Sequence, residues 1–365
     1  MALYRKYRPK TFAEFIGQNH IVQTLQNAIK EGTFSHAYLF YGPKGTGKTT
    51  IARLFAKAIN CENREGYEPC NQCLSCQEIN EGRAIDLIEI DAASNRGIEE
   101  VRQLKENAKF PPTRLKYKVF IIDEAHQLSK DAANALLKIL EEPPKHVVFI
   151  LATTEIHKMI PTIISRCQRF DFHKLSIEEI LKKLEAISKQ EGLKIDKSAL
   201  NLIATNAQGS IRDAESLLDQ VISFTKNLGK EKIEEEDIRE LLGLTNPDIV
   251  LKFIDLLNTK KIKEVIEHLN AQIQNGADPL LLGKMLIDYL RAILLFKIDP
   301  HLASPFLSDL TEETKKHLQK YSQQFDEIKV RKWLKVLLEA YNKMKYSPIP
   351  QLPLELACLE ICENL

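Results

Sequence analysis

Gly42-Pro43-Lys44-Gly45-Thr46-Gly47-Lys48-Thr49 is the stretch that decides the fold. It fits the pattern G-x-x-x-x-G-K-[ST] of a phosphate-binding loop. An apolar run, Ala37–Tyr41, precedes it, and a helical pattern over Thr49–Ile59 follows. In that context the glycines let backbone N–H groups curl around phosphate oxygens. The following helix points its positive N-terminal end at the same oxygens. Lys48 adds a point charge for the β- and γ-phosphates, and the Thr49 hydroxyl adds a ligand for Mg²⁺. Gly42 to Thr49, with Thr50 beside them, are therefore the expected nucleotide-binding residues. A merely glycine-rich turn would leave Lys48-Thr49 unexplained.

Such a loop needs an acidic partner at the end of a neighbouring strand. Val119-Phe120-Ile121-Ile122 runs into Asp123-Glu124 and then Ala125-His126. Asp123 is expected to hold Mg²⁺ through its coordination shell, and Glu124 to polarise the attacking water. Asp-Glu-Ala-His also matches the spelling of a helicase box, but the helical remainder offers no second nucleotide-cleft domain. Val147–Ala152 ends in Thr153-Thr154-Glu155. A hydroxyl there either reads the γ-phosphate or simply ends a strand.

Working outward, Asp86–Ile90, Lys118–Asp123 and Arg169–Phe172 complete the strand candidates. Helical patterns lie between most of them. Alternating β and α segments predict an α/β domain over 1–172, a parallel sheet with helices on both faces. Fully apolar strands fit the buried centre of such a sheet. From 173 to 242 the β signals vanish. Ser176–Gln190, Ser198–Asn206 and Ile211–Leu228 carry apolar residues at helical spacing, which predicts a small helical domain. From 243 to 365 the helical pattern continues. Asn246-Pro247, Gly276 to Pro279 and Tyr346 to Pro350 read as turns between helices.

Composition narrows the class. With 365 residues, two or three domains fit better than one. A hydrophobic fraction of 44% is far from a disordered composition. Fifty-one basic against 50 acidic residues exclude a uniformly basic nucleic-acid coat, though not a local track. No apolar run is long enough to span a membrane, and the N-terminal stretch lacks the apolar core of a signal peptide. A cytoplasmic protein is expected.

Four of the seven cysteines, Cys61, Cys70, Cys73 and Cys76, follow the spacing C-x8-C-x2-C-x2-C. Four thiolates suit tetrahedral zinc. An iron–sulfur cluster accepts the same donors, but no Cys-Pro follows the run. A redox C-x-x-C pair would leave two cysteines unexplained. Structural zinc is the preferred reading, in an insertion between the loop helix and the next strand. Cys167, Cys358 and Cys362 are scattered and read as structural.

Several further stretches carry a resemblance. They are Tyr7-Arg8-Pro9-Lys10-Thr11-Phe12 with Ile16-Gly17-Gln18, His36 to Phe40 leading into the loop, and the four-cysteine insertion. Asp91-Ala92-Ala93-Ser94, Ala135 to Lys138 with Leu140 to Pro144, Ser165-Arg166-Cys167 and Gly209 to Ala214 complete the set. Together they resemble the gamma/tau ATPases of bacterial DNA polymerase III clamp loaders, which are AAA+ proteins. The resemblance spans most of residues 1–220; beyond it, only length and helical pattern match the family's oligomerising collar.

The resemblance implies roles that spacing does not. Arg8, Pro9, Ile16 and Gly17 would line the adenine side of ATP. Thr153 would be the sensor-1 residue, with Thr154 its nearest rival. Arg212 would be sensor 2, touching the γ-phosphate of its own subunit. Arg166 would be an arginine finger reaching a neighbour's nucleotide; on the residues alone a surface salt bridge is the simpler reading. Arg96, Lys158 and Thr162 would contact primer–template DNA through its backbone, unless they are ordinary solvated residues. The implied partners are delta- and delta-prime-type subunits, further copies of the chain through the collar, and a ring-shaped sliding clamp. A non-hydrolysing scaffold and a branch-migration motor are the competing readings. No polymerase chemistry is visible in the chain.

Overall fold

The computed structural model describes residues 2–95, 97–242, 246–299, 302 and 312–364. These form two compact units, Met1–Leu193 with Ile203–Gln220, and Lys194–Leu202 with Val221–Leu365.

The first unit is built on five strands: β1 (Ala37–Tyr41), β2 (Leu87–Asp91), β3 (Lys118–Asp123), β4 (Val147–Thr153) and β5 (Gln168–Asp171). Their order is β2-β3-β4-β1-β5. Every pairing is parallel. Parallel neighbours require crossovers, which helices supply on both faces. Alternation along each strand then splits the apolar residues between two cores. Tyr38, Phe40, Val119, Ile121, Val148 and Ile150 face the loop helix Lys48–Asn60 through its Ile51, Leu54, Phe55 and Ala58. Leu39, Phe120, Ile122, Phe149 and Leu151 face the other way, against Leu104, Ala108, Leu136 and Leu140. With both faces covered, β3 and β4 have no side on which a polar residue would be solvated, hence their unbroken apolar runs.

Register places the chemistry. Tyr41 at the end of β1 pairs with Thr153 at the end of β4. Asp91 at the end of β2 pairs with Asp123 at the end of β3. The carboxyl ends of the strands thus share one edge of the sheet, where open α/β sheets bind ligands. On the helical side of this unit, Ser176 caps helix Ile177–Gln190 in a full capping box with Glu179.

The second unit contains one departure from the sequence expectation. Lys194–Ile195 pairs in parallel with Lys232–Ile233 inside the span read as free of β structure. Two residues per strand are too few to show alternation, so no pattern marks them. The remainder is helical, as expected. Pro247–Asn258, Ile262–Gln274, Pro279–Ile298, Glu312–Gln324, Glu327–Met344 and Leu352–Asn364 surround a core containing Phe253, Leu286, Trp333 and Leu337. Two of these helices begin with proline in the first turn and a side-chain cap, from Asn246 and Asp278. Cys358 and Cys362 pack in that core. Among the described residues, no helix is long and apolar enough to cross a membrane.

Phe149 is fully buried and stacks on Phe120 at a centroid distance of 5.2 Å. Phe149→Ala is expected to cost about 3–5 kcal/mol, through lost burial and the cavity left behind. Urea unfolding followed by circular dichroism would show the first unit's transition moving to lower denaturant. Phe149→Leu is expected to move it by less than half as much.

Candidate active site

The phosphate loop leaves β1 and must turn sharply before its helix begins. Gly45 adopts φ +75°, and a Cβ there would lie 1.9 Å from Ser210 Oγ. Gly47 adopts φ +96°, and a Cβ there would lie 2.6 Å from Phe15. Both positions demand glycine twice over, by conformation and by close approach. The Ile211 amide donates to the Gly45 carbonyl at 3.1 Å. The helix Ile211–Asn227, which carries Arg212, is thereby tied at its start to the loop.

Lys48 is buried, and its ammonium donates to the Gly42 and Pro43 carbonyls, each at 2.8 Å. Burial lowers its pKa, while the Glu124 and Asp123 carboxylates act in the opposite sense. The Thr49 hydroxyl donates to Asp123 Oδ2 at 2.8 Å. Hydroxyl and carboxylate in contact are the oxygen pair that suits a hard divalent cation.

Glu124 follows in a left-handed conformation, φ 47° and ψ 45°. Its amide donates to Asp123 Oδ1 at 3.0 Å. Its carboxylate accepts from the Thr154 hydroxyl at 3.0 Å and lies 3.4 Å from His126 Nδ1. His126 Nδ1 is also 2.9 Å from Thr153 Oγ1, and that oxygen accepts from the Glu155 amide at 3.1 Å. Thr153 is fully buried beneath the site, whereas Thr154 touches Glu124 directly.

A cavity of about 760 Å³ opens over this group. Arg8, Pro9, Ile16, Lys44 to Thr50, Asp123, Glu124 and Arg212 all line it. The Arg212 guanidinium sits 4.9 Å from the centre of the Tyr4 ring. Arg8 is more than half buried, and desolvation with the nearby Arg53 lowers its pKa. Gly17 is not among the lining residues, and a Cβ there would meet the lining residue Leu175 at 2.3 Å. Gly42 and Pro43 contribute their carbonyls to Lys48 and do not line the cavity.

Arg166 lies apart from the cavity of its own chain. It donates to Glu141 Oε1 at 2.6 Å and to the Thr162 carbonyl at 2.8 Å. Lys158 is half exposed and paired with Glu155 at 2.7 Å. Thr162 lies in the short helix Pro161–Ile164, whose first residue is the expected proline. Arg96 falls outside the described residues.

The four insertion cysteines place their sulfurs within 4.8 Å of one another. None of the seven cysteines is paired in a disulfide. The Cys70 and Cys61 sulfurs accept backbone N–H groups, from Cys73 at 3.3 Å and Gln72 at 3.4 Å, and from Cys70 at 3.3 Å. Burial acts to raise the Cys70 pKa, but these donors outweigh it and bring the thiol down to about 6. Four converging sulfurs with amides aimed at them fit a thiolate-bound metal ion.

Tyr4 and Glu215 are among the lining residues that carried no sequence expectation. Glu215 is three positions after Arg212 and buried. His126, the fourth letter of Asp-Glu-Ala-His, was read only as part of that motif.

A glycine-rich loop after β1, an acidic end to β3 and a helical arm bearing Arg212 define a P-loop nucleoside-triphosphatase module of the AAA+ type. The Thermotoga maritima RuvB Holliday junction branch migration motor shares this fold. Its TM-score is 0.51 at 20% identity, over 74% of this chain and 86% of that one. Three family models match in succession between residues 17 and 365. They are described as DNA polymerase III, delta subunit (17–176), clamp loader subunit, ATPase lid domain (179–227), and subunits gamma and tau domain III (233–365). The DNA polymerase III subunit gamma of Buchnera aphidicola is 37% identical over 98% of both chains. The DNA polymerase III subunit tau of Bacillus subtilis is 44% identical over 100% of this chain. The chain spans 63% of that relative's length. This protein belongs to the gamma/tau family of DNA polymerase III clamp-loader subunits.

Burial pushes the Glu215 carboxyl up from 4.5 to about 7, against the pull of Lys183 and Arg8. The native chain then holds this proton more tightly than the unfolded one. Stability contributed here is present below about pH 4.5 and is lost as pH rises through about 7. Between about pH 5 and about pH 8 the native protein should lose on the order of 2–3 kcal/mol from this group. Glu215→Gln should flatten that slope in urea titrations run across the range.

Proposed function

We propose that the chain is the ATPase motor subunit of a bacterial clamp loader, loading a ring-shaped sliding clamp onto primed DNA. One observation carries the reading: a single cavity joins Lys48, Thr49, Asp123, Glu124 and Arg212. The ATPase domain would occupy 1–172, a helical lid 173–242 and an oligomerising collar 243–365, close to the ranges of the three family models.

ATP would lie with its phosphates in the loop amides and its base toward Arg8, Pro9 and Ile16. Thr49 and Asp123 would hold Mg²⁺, which when bound neutralises charge on the β- and γ-phosphates. Lys48 would leave the loop carbonyls for the phosphate oxygens. Glu124 would take the proton of the attacking water, aimed by Thr154 directly. Thr153 would act on the same carboxylate through His126, so the two threonines divide the sensing role. Arg212 would approach the γ-phosphate from the same subunit. Arg166 would exchange Glu141 for the nucleotide of the adjacent subunit. That exchange neutralises charge on the transferred phosphoryl group.

Delta- and delta-prime-type subunits and further copies of this chain would complete the ring. Primer–template DNA would be followed through its backbone, with Lys158, Thr162 and Arg96 as candidate contacts. Zinc is the metal the four thiolates fit best, and it would cross-link the insertion without an open position for water. Polymerisation would belong to a partner.

Steady-state hydrolysis with partner subunits, with and without clamp and primed DNA, tests this function. Strong stimulation is expected only when both are present. Activity indifferent to clamp and primer would identify another kind of motor. Bound ATP without turnover would identify a nucleotide-gated scaffold. Glu124→Gln should keep ATP affinity while turnover falls about 10²- to 10⁴-fold. Arg166→Ala should leave affinity in the isolated chain unchanged and lower stimulated turnover in the assembly by about 10³-fold or more.

A further inference from the structure

The four-cysteine insertion is wired to the segment that runs from Arg8 to Ile16. Lys57, nine residues after Lys48 on the loop helix, is almost wholly buried. Its ammonium meets three oxygens: the Lys10 carbonyl at 2.7 Å, Asn71 Oδ1 at 2.6 Å and Asn80 Oδ1 at 2.7 Å. Asn71 lies between Cys70 and Cys73 and adopts φ 56°. Asn80 lies on helix Leu74–Glu81, which starts at Cys73 and carries Cys76. A second link comes from Glu68, two residues before Cys70. Its carboxylate accepts the Phe12 amide at 2.9 Å and the Ala13 amide at 3.0 Å.

Within the segment the Lys10 amide donates to Glu14, the Glu14 amide to Thr11 and the Phe15 amide to the Phe12 carbonyl, while the Phe12 ring is buried in the core. The Lys57 and Glu68 contacts add hydrogen bonds that tie this turn to the insertion. Lys10, Phe12 and Ala13 are held by the insertion and the loop helix, while Arg8, Pro9 and Ile16 on either side face the cavity. A carboxylate accepting two adjacent amides sets both position and direction of a strand of backbone.

We propose that the four-cysteine insertion is a positioning clamp for the nucleotide site, with Glu68 and Lys57 as its two jaws. Metal occupancy and ATP affinity are then linked, because both depend on the same placement of residues 8–16. By reciprocity ATP holds the metal more firmly, as metal holds ATP. The proposal rests on the reading that residues 8–16 face the base of a bound nucleotide.

The test is calorimetric titration of Glu68→Gln with Mg·ATP and, separately, with tripolyphosphate, which reports the phosphate end alone. The amide accepts one N–H where the carboxylate accepts two. Expected is a rise in Kd for ATP on the order of fivefold to tenfold. Tripolyphosphate affinity should stay native, which also shows that the loop is folded. The Co²⁺-substituted variant should keep the thiolate absorption of the native protein. Stripping the native chain of metal with a chelator should reproduce the selective loss of ATP affinity. ATP should in turn slow metal release to a chromogenic chelator. If Glu68→Gln binds ATP within twofold of native with its metal in place, the clamp is wrong. If the native chain binds ATP no better than tripolyphosphate, the base-side reading falls, and the clamp with it.

Discussion

A buried cation sets the terms for the catalytic end of this molecule. Lys48 sits at the first turn of a helix, where the backbone already presents positive charge. Taking an ammonium out of water there is costly unless oxygens surround it. The chain supplies two loop carbonyls and two carboxylates at the end of β3. Meeting that demand requires β1 and β3 to end on the same edge, with β4 between them. An antiparallel sheet would reverse only the middle strand, carrying Thr153 and Thr154 to the far edge; parallel pairing brings all three ends together and lets Thr154 meet Glu124. The phosphate loop and the sheet topology therefore serve the same site.

The second constraint is conformational. Glu124 occupies left-handed backbone space that a glutamate enters only at a cost of about 1–3 kcal/mol. Its surroundings over-determine it: the Asp123 side chain takes its amide, and Thr154 and His126 hold its carboxylate. Strain with that much support on a strand end points the carboxylate into the cavity. Thr153 lies behind it, buried and bonded to the same histidine. Contacts continue outward from His126, whose Nε2 lies 3.5 Å from Glu155, and Glu155 pairs with Lys158 at 2.7 Å.

Much of this is legible in the sequence. Apolar runs such as Val119 to Ile122 mark central strands because both faces are covered. Ser176–Gln190 reads as a helix because its apolar residues recur at helical spacing, and Ile180, Leu184 and Ile187 are the ones that are buried. What escaped notice depended on facing, not on type. Thr153 and Thr154 are adjacent, and only the strand's pleat decides which one meets Glu124. Gly17 sits beside residues that line the cavity but does not line it itself, being packed against Leu175. Glu215 reads as an exposed acid on an amphipathic helix until the cavity wall closes over it. The two-residue pairing of Lys194–Ile195 with Lys232–Ile233 is too short for any periodicity. Arg166 is legible as an arginine but not as one held by Glu141, which is distant in sequence.

The loop helix carries two buried lysines, and the contrast between them separates chemistry from scaffolding. Lys57 has three N–H donors and three protein oxygens within 2.7 Å, from three different segments. Its charge is spent on holding those segments together. Lys48 meets two carbonyls of the loop it belongs to. Both acceptors belong to the phosphate loop, so the ammonium can exchange them without a distant segment having to move. A lysine whose donors are shared among distant segments resists such movement, because every partner would have to move with it. The same helix therefore presents a fixed cation at the insertion and an exchangeable one at the nucleotide. Holding the first rigid keeps the geometry of the second reproducible from one binding event to the next.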